Sequence, residues 1–146
     1  MAASEVIGED SGMPSIDAID GIDVKDATRF RKNGVRTTEA LLRKAQTRRG
    51  RKDLAVATGL TEKQLFKWVN RADLMRVKGI GAEYADLLEA VGVTDLKDLR
   101  TRNASALTKR LLSLNARKQL VRRLPTEGMV DGWIAEAKGL RSLVRH

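Results

Sequence analysis

Apolar residues recur along this chain at helical spacing, and alternation of apolar and polar residues does not persist over a length typical of strands. In the stretch 82–91, for example, Ala85, Leu88 and Val91 are separated by intervals that place them on one face of a helix. The run stops at Gly92, and glycine commonly follows a helix C-terminus. The pattern therefore predicts an all-α fold.

The same pattern of glycine and apolar positions occurs twice. Residues 16–45 align without a gap with residues 74–103, so that Gly21 falls on Gly79. Other matched pairs are Gly34 with Gly92, Val35 with Val93 and, at a slightly larger shift, Trp68 with Trp133. Recurrence of these residue types in register predicts a tandem duplication.

The duplication predicts the organisation of the chain. Residues 1–15 are small and polar and are predicted to form a disordered tail. Residues 16–73 then form the first repeat and residues 74–146 the second. Because a single helix pair buries too little surface to be stable alone, we expect the two repeats to pack as one compact body.

Local signals indicate where the helices of each repeat begin. Threonines precede several helical patterns and are predicted to cap them, namely Thr37, Thr61, Thr94 and Thr126. The second repeat is expected to contain helices at about 95–102 and about 104–113, and a further one near about 115–123. Trp68 and Trp133 are predicted to pack in the core.

Each repeat has a predicted hairpin before a helix, Gly21-Ile22-Asp23 in the first repeat and Gly79-Ile80-Gly81 in the second. The second hairpin has two glycines separated by one isoleucine. Glycine permits a tight turn and a close approach of the backbone to another molecule. A helix that starts just after such a turn presents free N–H groups and the positive end of its dipole, which suit a phosphate. In this hypothesis the N–H groups of Gly79, Gly81 and Ala82 approach the phosphate, and Lys78 and Arg76 add positive charge.

Acidic residues leave a structural alternative open, in which these glycines only permit a tight turn between helices. Glu83 and Asp86 follow the hairpin of the second repeat and oppose an incoming phosphate. In the first repeat Asp23 stands at the position of Gly81, where its carboxylate can cap its own helix. We therefore expect the first hairpin to be structural.

Basic residues concentrate in two stretches that contain no acid, residues 43–52 and the residues between Asp98 and Glu127. The candidates for phosphate contact are Arg48, Arg49, Arg51 and Lys52 in the first stretch, and Lys109, Arg110, Arg117, Lys118, Arg122 and Arg123 in the second. The net charge of +9 and the pI of about 10.3 favour a polyanionic partner. The alternatives are a solvated surface and, for Arg122 and Arg123, pairing with acids of the other repeat.

Composition argues against several other functions. The chain has no cysteine and a single histidine, His146, which argues against disulfides, thiolate metal sites and histidine-dependent catalysis. It has no apolar run of about 20 residues for a membrane helix, and its first residues lack the features of a signal peptide. We therefore expect a non-enzymatic cytoplasmic protein without a metal, a cofactor or a small-molecule substrate.

The hairpin pattern apolar-x-Gly-apolar-Gly-x-x-x-Ala resembles the helix-hairpin-helix motif of DNA polymerases, ligases, nucleotide-excision nucleases and Holliday-junction proteins. The segments GVRTTEALL, GRKDLAVATGLTEKQLFKWVNRADLMRVKGIGAEYADLLEAVGV and LVRRLPTEGMVDGWIAEAK resemble a small bacterial family of duplicated helix-hairpin-helix proteins, which is catalogued as a domain of unknown function. The resemblance implies a compact tandem helix-hairpin-helix fold of the SAM-like helical type. By analogy it also implies a backbone-mediated grip on nucleic-acid phosphates.

The leading hypothesis is sequence-tolerant nucleic-acid binding, with DNA favoured over RNA, through phosphate contacts from the basic stretches and the second hairpin. The alternative is a protein-interaction or scaffold module that uses the same fold, and the acidic residues near both hairpins favour it. An enzyme is the least expected class, because the sequence shows no nucleophile–base pair, metal cluster or glycine-rich nucleotide loop.

Overall fold

A computed structural model describes residues 14–146 of the chain. Residues 1–13, which make up most of the predicted disordered tail, lie outside the described residues. The last two residues of that predicted tail are held by backbone contacts. The Pro14 carbonyl accepts a hydrogen bond of 3.0 Å from the Thr38 N–H, and Ser15 forms an isolated antiparallel bridge with Thr37.

The described part of the chain is helical, as predicted. A short 3-10 helix, Ile16–Ala18, comes first. The α-helices that follow are α1 (Val24–Lys32), α2 (Thr38–Ala45), α3 (Arg48–Thr58), α4 (Glu62–Leu74), α5 (Ala82–Ala90), α6 (Leu96–Leu99), α7 (Ala104–Lys118) and α8 (Glu127–Gly139). Within residues 14–146 there is no β-strand, which confirms the all-α class. None of these helices combines the length and the apolar character needed to cross a membrane.

The chain divides into two compact units. Among the described residues, the first unit comprises residues 14–72 together with Leu143–His146, and the second comprises Asp73–Ser142. The division falls near the end of α4. Each unit has its own buried core.

The core of the first unit is built around Phe30 of α1 and Trp68 of α4. Their rings meet edge-on, with centroids 5.9 Å apart, and both side chains are buried. Gly21 lies against this tryptophan. A Cβ at that position would stand 3.3 Å from Trp68 Nε1, and the backbone has a φ of +97°, so both space and conformation favour glycine.

The core of the second unit has a similar aromatic centre. Trp133 of α8 is buried, and the ring of Tyr84 from α5 lies 5.2 Å from it, centroid to centroid. A Cβ at Gly79 would stand 3.1 Å from Trp133 Nε1, and Gly79 has a φ of +94°. The predicted burial of both tryptophans is thus confirmed.

Side-chain caps start most of these helices. Thr37, Thr61 and Thr126 each accept a hydrogen bond from the backbone N–H three residues later, as predicted. Asp23 caps α1 in the same way, since its Oδ1 accepts from the Asp26 N–H at 2.8 Å. The first hairpin therefore satisfies its own helix N-terminus, as the sequence indicated.

Two predicted details of residues 74–146 are wrong. Thr94 does not cap α6, because Asp95 stands at the N-cap and accepts from the Asp98 N–H at 2.8 Å. The helix expected near residues 115–123 is absent from the structure. Instead α7 runs unbroken to Lys118 and ends at Gln119, which adopts a left-handed conformation with a φ of +52°.

The reason for this early stop is a hydrogen-bond pair from one buried amide. The Asn115 side chain donates to the Val121 carbonyl at 3.1 Å and accepts from the Val121 N–H at 3.0 Å. Both backbone groups of Val121 are thereby satisfied outside a helix, and the segment after α7 is held as a turn. This segment displays Arg122 and Arg123, which are exposed.

Candidate nucleic-acid interface

The second hairpin leaves the N-terminus of α5 open. Gly81 is the N-cap residue, and unlike Asp23 it has no side chain to accept a hydrogen bond from the first turn. The first N–H groups of a helix have no partner within the helix, and those of α5 begin at Ala82. A Cβ at Gly81 would meet no described atom within 4 Å, and its φ of −91° is open to other residues. The site is therefore accessible to an anion.

One backbone N–H of the same hairpin is already occupied by a carboxylate. The Lys78 N–H donates to Glu136 of α8, whose Oε1 and Oε2 lie 3.1 and 3.2 Å away. The Lys78 side chain is exposed, and so is Gly79. An anion at this hairpin would therefore approach the Gly81 and Ala82 side of the turn, because Glu136 fills the other side.

Arg76 is partly buried, and its guanidinium is engaged within the second unit. Its Nη1 donates to Asp73 Oδ1 at 2.7 Å and to the Arg141 carbonyl at 3.0 Å. Asp73 is fully buried, and its Oδ2 accepts from the Ser142 hydroxyl at 3.0 Å. Arg76 accordingly has a structural role, in which it neutralises a buried carboxylate. Its role as a phosphate contact stays a prediction.

Arg51, which was predicted to contact phosphate, is buried. Its side chain lies within the first unit with only 4% of its surface exposed. The guanidinium donates to the carbonyls of Ala45 at 2.9 Å, Gln46 at 3.1 Å and Arg145 at 2.6 Å. It also lies 5.0 Å from the centre of the Phe66 ring. Arg51 thus joins two backbone segments, residues 45–46 and the segment that contains Arg145, and it is not on the surface that a ligand would meet.

The electrostatics of Arg51 follow from this position. Burial lowers the pKa of its guanidinium from the ordinary value, and the neighbouring charge of Arg48 acts in the same direction. The carboxylate of Glu62 opposes both effects. The charge is kept nonetheless, because arginine starts from a pKa far above physiological pH.

The rest of the first basic stretch is exposed. Arg48, Arg49 and Lys52 all lie on the surface of α3. Arg49 pairs with Asp53 on the next turn, with Nε and Oδ1 3.3 Å apart, so part of its charge is compensated locally. Three of the four predicted residues in this stretch are therefore available to a ligand, and one of the three has an acidic neighbour.

The predicted residues of the second basic stretch are all exposed and have fewer local partners than those of the first. All six predicted residues are exposed, namely Lys109, Arg110, Arg117 and Lys118 on α7 and Arg122 and Arg123 in the turn that follows. Among the described residues, no ion pair or hydrogen bond engages their charged groups. Two other arginines of this stretch are held inside the unit: Arg102 pairs with Asp98 at 2.9 Å, and Arg100 donates to the Leu140 carbonyl.

Three of these cations line one groove of the second unit. The groove lies between α7 and the C-terminal end of α5 and has a volume of about 310 Å³. Its lining consists of Lys109, Arg110, Ser113 and Arg117 with the apolar residues Ala90, Val91 and Leu114. None of these seven residues is acidic, so the groove has a positive rim and an apolar floor.

A groove of about 270 Å³ in the first unit differs in charge. It is lined by Asn33, Lys44, Gly50, Asp53, Leu54 and Ala57. One cation and one carboxylate therefore face it, whereas three cations face the groove of the second unit. Positive potential is consequently stronger at the groove beside α7.

Sequence reasoning did not identify two of the residues that shape these surfaces. Glu136 contacts a backbone group 58 positions away, so no local pattern indicates it. Ser113 was detectable in principle, since it lies one helical turn from Lys109 and from Arg117 and must share their face.

A model from a comparison with known protein families covers most of the chain. The model described as "Domain of unknown function (DUF4332)" matches residues 20–140. The comparisons with curated proteins and with solved structures each returned no significant match.

Proposed function

We propose that this chain, which belongs to the DUF4332 family of domains of unknown function, binds nucleic acid through phosphate contacts and with little sequence preference. DNA is the favoured partner over RNA. The protein would act without catalysis and without a cofactor, in the cytoplasm. One observation carries the proposal: the six exposed cations between Lys109 and Arg123 have no acidic partner among the described residues.

The charge distribution supports phosphate binding because the protein has separated its cations into two groups. Arg51, Arg76 and Arg100 are used internally, where they bind backbone carbonyls or a buried carboxylate. The cations that remain on α7 and the following turn repel one another, which costs stability unless a polyanion is bound. A duplex that neutralises them would release counterions and gain affinity from that release.

We further infer that the fold is a tandem duplication of helix-hairpin-helix units. Three parallels between the units support it. Gly21 and Gly79 have nearly equal φ values, +97° and +94°, and each lies beside the indole nitrogen of a buried tryptophan. The helices that follow, α1 and α5, both have nine residues. Each of these helices is followed by a glycine, Gly34 or Gly92, with a positive φ.

The proposal is tested first by binding of the unchanged protein to a random DNA duplex at several salt concentrations. For about six neutralised phosphates, the association constant should fall about a thousandfold between about 50 and 200 mM salt. Fluorescence anisotropy of a labelled duplex measures this slope. Affinity that is micromolar or weaker at low salt, or that does not respond to salt, would contradict the proposal.

The contribution of the second hairpin is tested by Gly81→Asp, which copies the first hairpin. The new carboxylate can cap α5 as Asp23 caps α1, so stability should be unchanged or higher by about a few tenths of a kcal/mol. Duplex affinity should fall several-fold, because the carboxylate then occupies the N–H groups of the helix N-terminus. Thermal unfolding measures the stability, and anisotropy on the same sample measures the affinity. Asp23→Gly is the matched variant in the first hairpin.

The outcome separates two roles of the hairpin. If Gly81→Asp leaves the affinity unchanged while cation substitutions lower it, the hairpin is only a turn. If neither change affects duplex binding, a protein-interaction or scaffold module becomes the better proposal. The carboxylate of Glu136 on the Lys78 N–H favours that alternative, and partners that survive nuclease treatment in a pull-down would support it.

A further inference from the structure

The groove beside α7 combines two surface properties that a plain basic patch does not have. Its rim carries the charged groups of Lys109, Arg110 and Arg117, while Val91 and Leu114, each 7% exposed, form an apolar floor. The floor exists because α7 packs against the end of α5 and leaves the space between them unfilled. Ser113 lies among the three cations and adds a hydroxyl that can donate to an anion or accept a hydrogen bond.

The spacing of the cations along α7 suits a row of phosphates. An α-helix rises about 1.5 Å per residue, so about 10 Å separate Arg110 from Arg117 along the axis. One strand of duplex DNA carries a phosphate about every 3.4 Å of its axis. Measured along the axis of the duplex, the rim therefore has the length over which one strand presents about three phosphates.

The apolar floor selects among anionic ligands. A free phosphate or a polyphosphate chain offers only oxygens, and it gains nothing from Val91 and Leu114. A nucleic-acid strand presents a sugar between successive phosphates, and the carbon face of a sugar can cover apolar surface. Stacking of unpaired bases is not favoured here, because the described lining of the groove includes no aromatic residue.

We infer that this groove seats the sugar-phosphate backbone of one strand of a nucleic-acid duplex, with phosphates on Lys109, Arg110 and Arg117 and a sugar over the floor of Val91 and Leu114. The inference rests on the proposed function and makes it specific. It assigns most of the contact to one groove of the second unit, and it gives Ser113 a place at the centre of the contact. The corresponding groove of the first unit, which faces Asp53, is excluded from contact.

The experiment fills the groove without changing any charge. Ser113→Leu places a larger apolar side chain in the groove and keeps its three cations. Ala57→Leu likewise places a larger apolar side chain in the groove of the first unit and changes no charge there. Ser113→Leu should weaken duplex binding by about tenfold and lower the salt slope by about one to two. Ala57→Leu should change the affinity by less than about twofold, since its groove makes no contact. Ser113→Gln is a second, more polar filler in case the leucine variant does not fold.

The outcomes separate this inference from the proposed function. Equal duplex affinity for the folded Ser113 variants and the unchanged protein would overturn the groove assignment and leave phosphate binding by the exposed cations intact. Equal losses in Ser113→Leu and Ala57→Leu would overturn it as well. An unchanged protein that shows no salt-dependent duplex binding would instead overturn the proposed function. Inorganic polyphosphate, which has no sugar, should bind more weakly than a duplex of equal charge, and the reverse order would contradict the role of the floor.

Discussion

Replacing Arg51 with methionine is expected to lower the free energy of unfolding by about 3 kcal/mol. Methionine keeps much of the side-chain volume and the helix propensity of arginine, so the main loss is the set of hydrogen bonds from the guanidinium. Three carbonyls, those of Ala45, Gln46 and Arg145, lose their charged donor, and the contact with Phe66 is lost with it. Denaturant unfolding followed by circular dichroism measures the change.

The matched control is Arg48→Met. Arg48 stands on the same helix and is exposed, so its replacement removes one positive charge without removing a buried hydrogen bond. A surface change of this kind usually alters stability by less than about 0.5 kcal/mol. If Arg51→Met and Arg48→Met shift the unfolding midpoint equally, the buried hydrogen bonds of Arg51 do not contribute to the free energy of unfolding. The structural account of Arg51 would then be wrong.

Arg51 also shows why the composition of a charged stretch does not fix its function. Sequence reasoning assigned Arg48, Arg49, Arg51 and Lys52 the same role because charge is visible in a sequence and burial is not. One partner that accounts for the burial of Arg51 lies far away in the sequence. The Arg145 carbonyl, which accepts a hydrogen bond from the guanidinium, is 94 positions from Arg51. Similarly, Arg76 lies beside the hairpin glycines, yet a buried aspartate holds its side chain within the unit.

Local features of the fold were predictable for a physical reason. A capping threonine, a glycine with positive φ and an apolar face each act within a few residues, so the sequence around Thr37, Thr126 or Gly79 contains the whole signal. The end of α7 was not predictable in this way. It depends on two buried hydrogen bonds between the Asn115 side chain and the Val121 backbone. These bonds satisfy the Val121 backbone groups outside a helix, so they compete with continuation of α7.

The candidate site was predictable in its residue types but not in its shape. The charged residues of α7 could be identified, and their helical spacing already placed Lys109 and Arg117 on one face. The groove itself requires the end of α5 to lie beside α7, which brings Val91 near Leu114. That arrangement is a property of the packed unit, so only the structure distinguishes a groove with a floor from an even basic surface.

The largest change in affinity is expected when the three groove cations Lys109, Arg110 and Arg117 are replaced together by glutamine. Each phosphate contact that is lost lowers the salt slope by about 0.9, so the slope should fall by about 2 to 3. The association constant for a random duplex should fall by about two orders of magnitude at moderate salt. Stability should stay the same or rise slightly, because the exposed cations repel one another and no described partner holds them.

A control with the same change in net charge separates local contact from the field of the whole protein. Lys25, Lys32 and Arg36 are exposed and lie outside both basic stretches. Their joint replacement by glutamine lowers the net charge by the same amount, so it reproduces any long-range effect on association. It should reduce affinity only a few-fold and leave the salt slope nearly unchanged, since no phosphate contact is removed. Equal losses in the two triple variants would mean that the duplex responds to total charge alone, and a defined interface on α7 would then be ruled out.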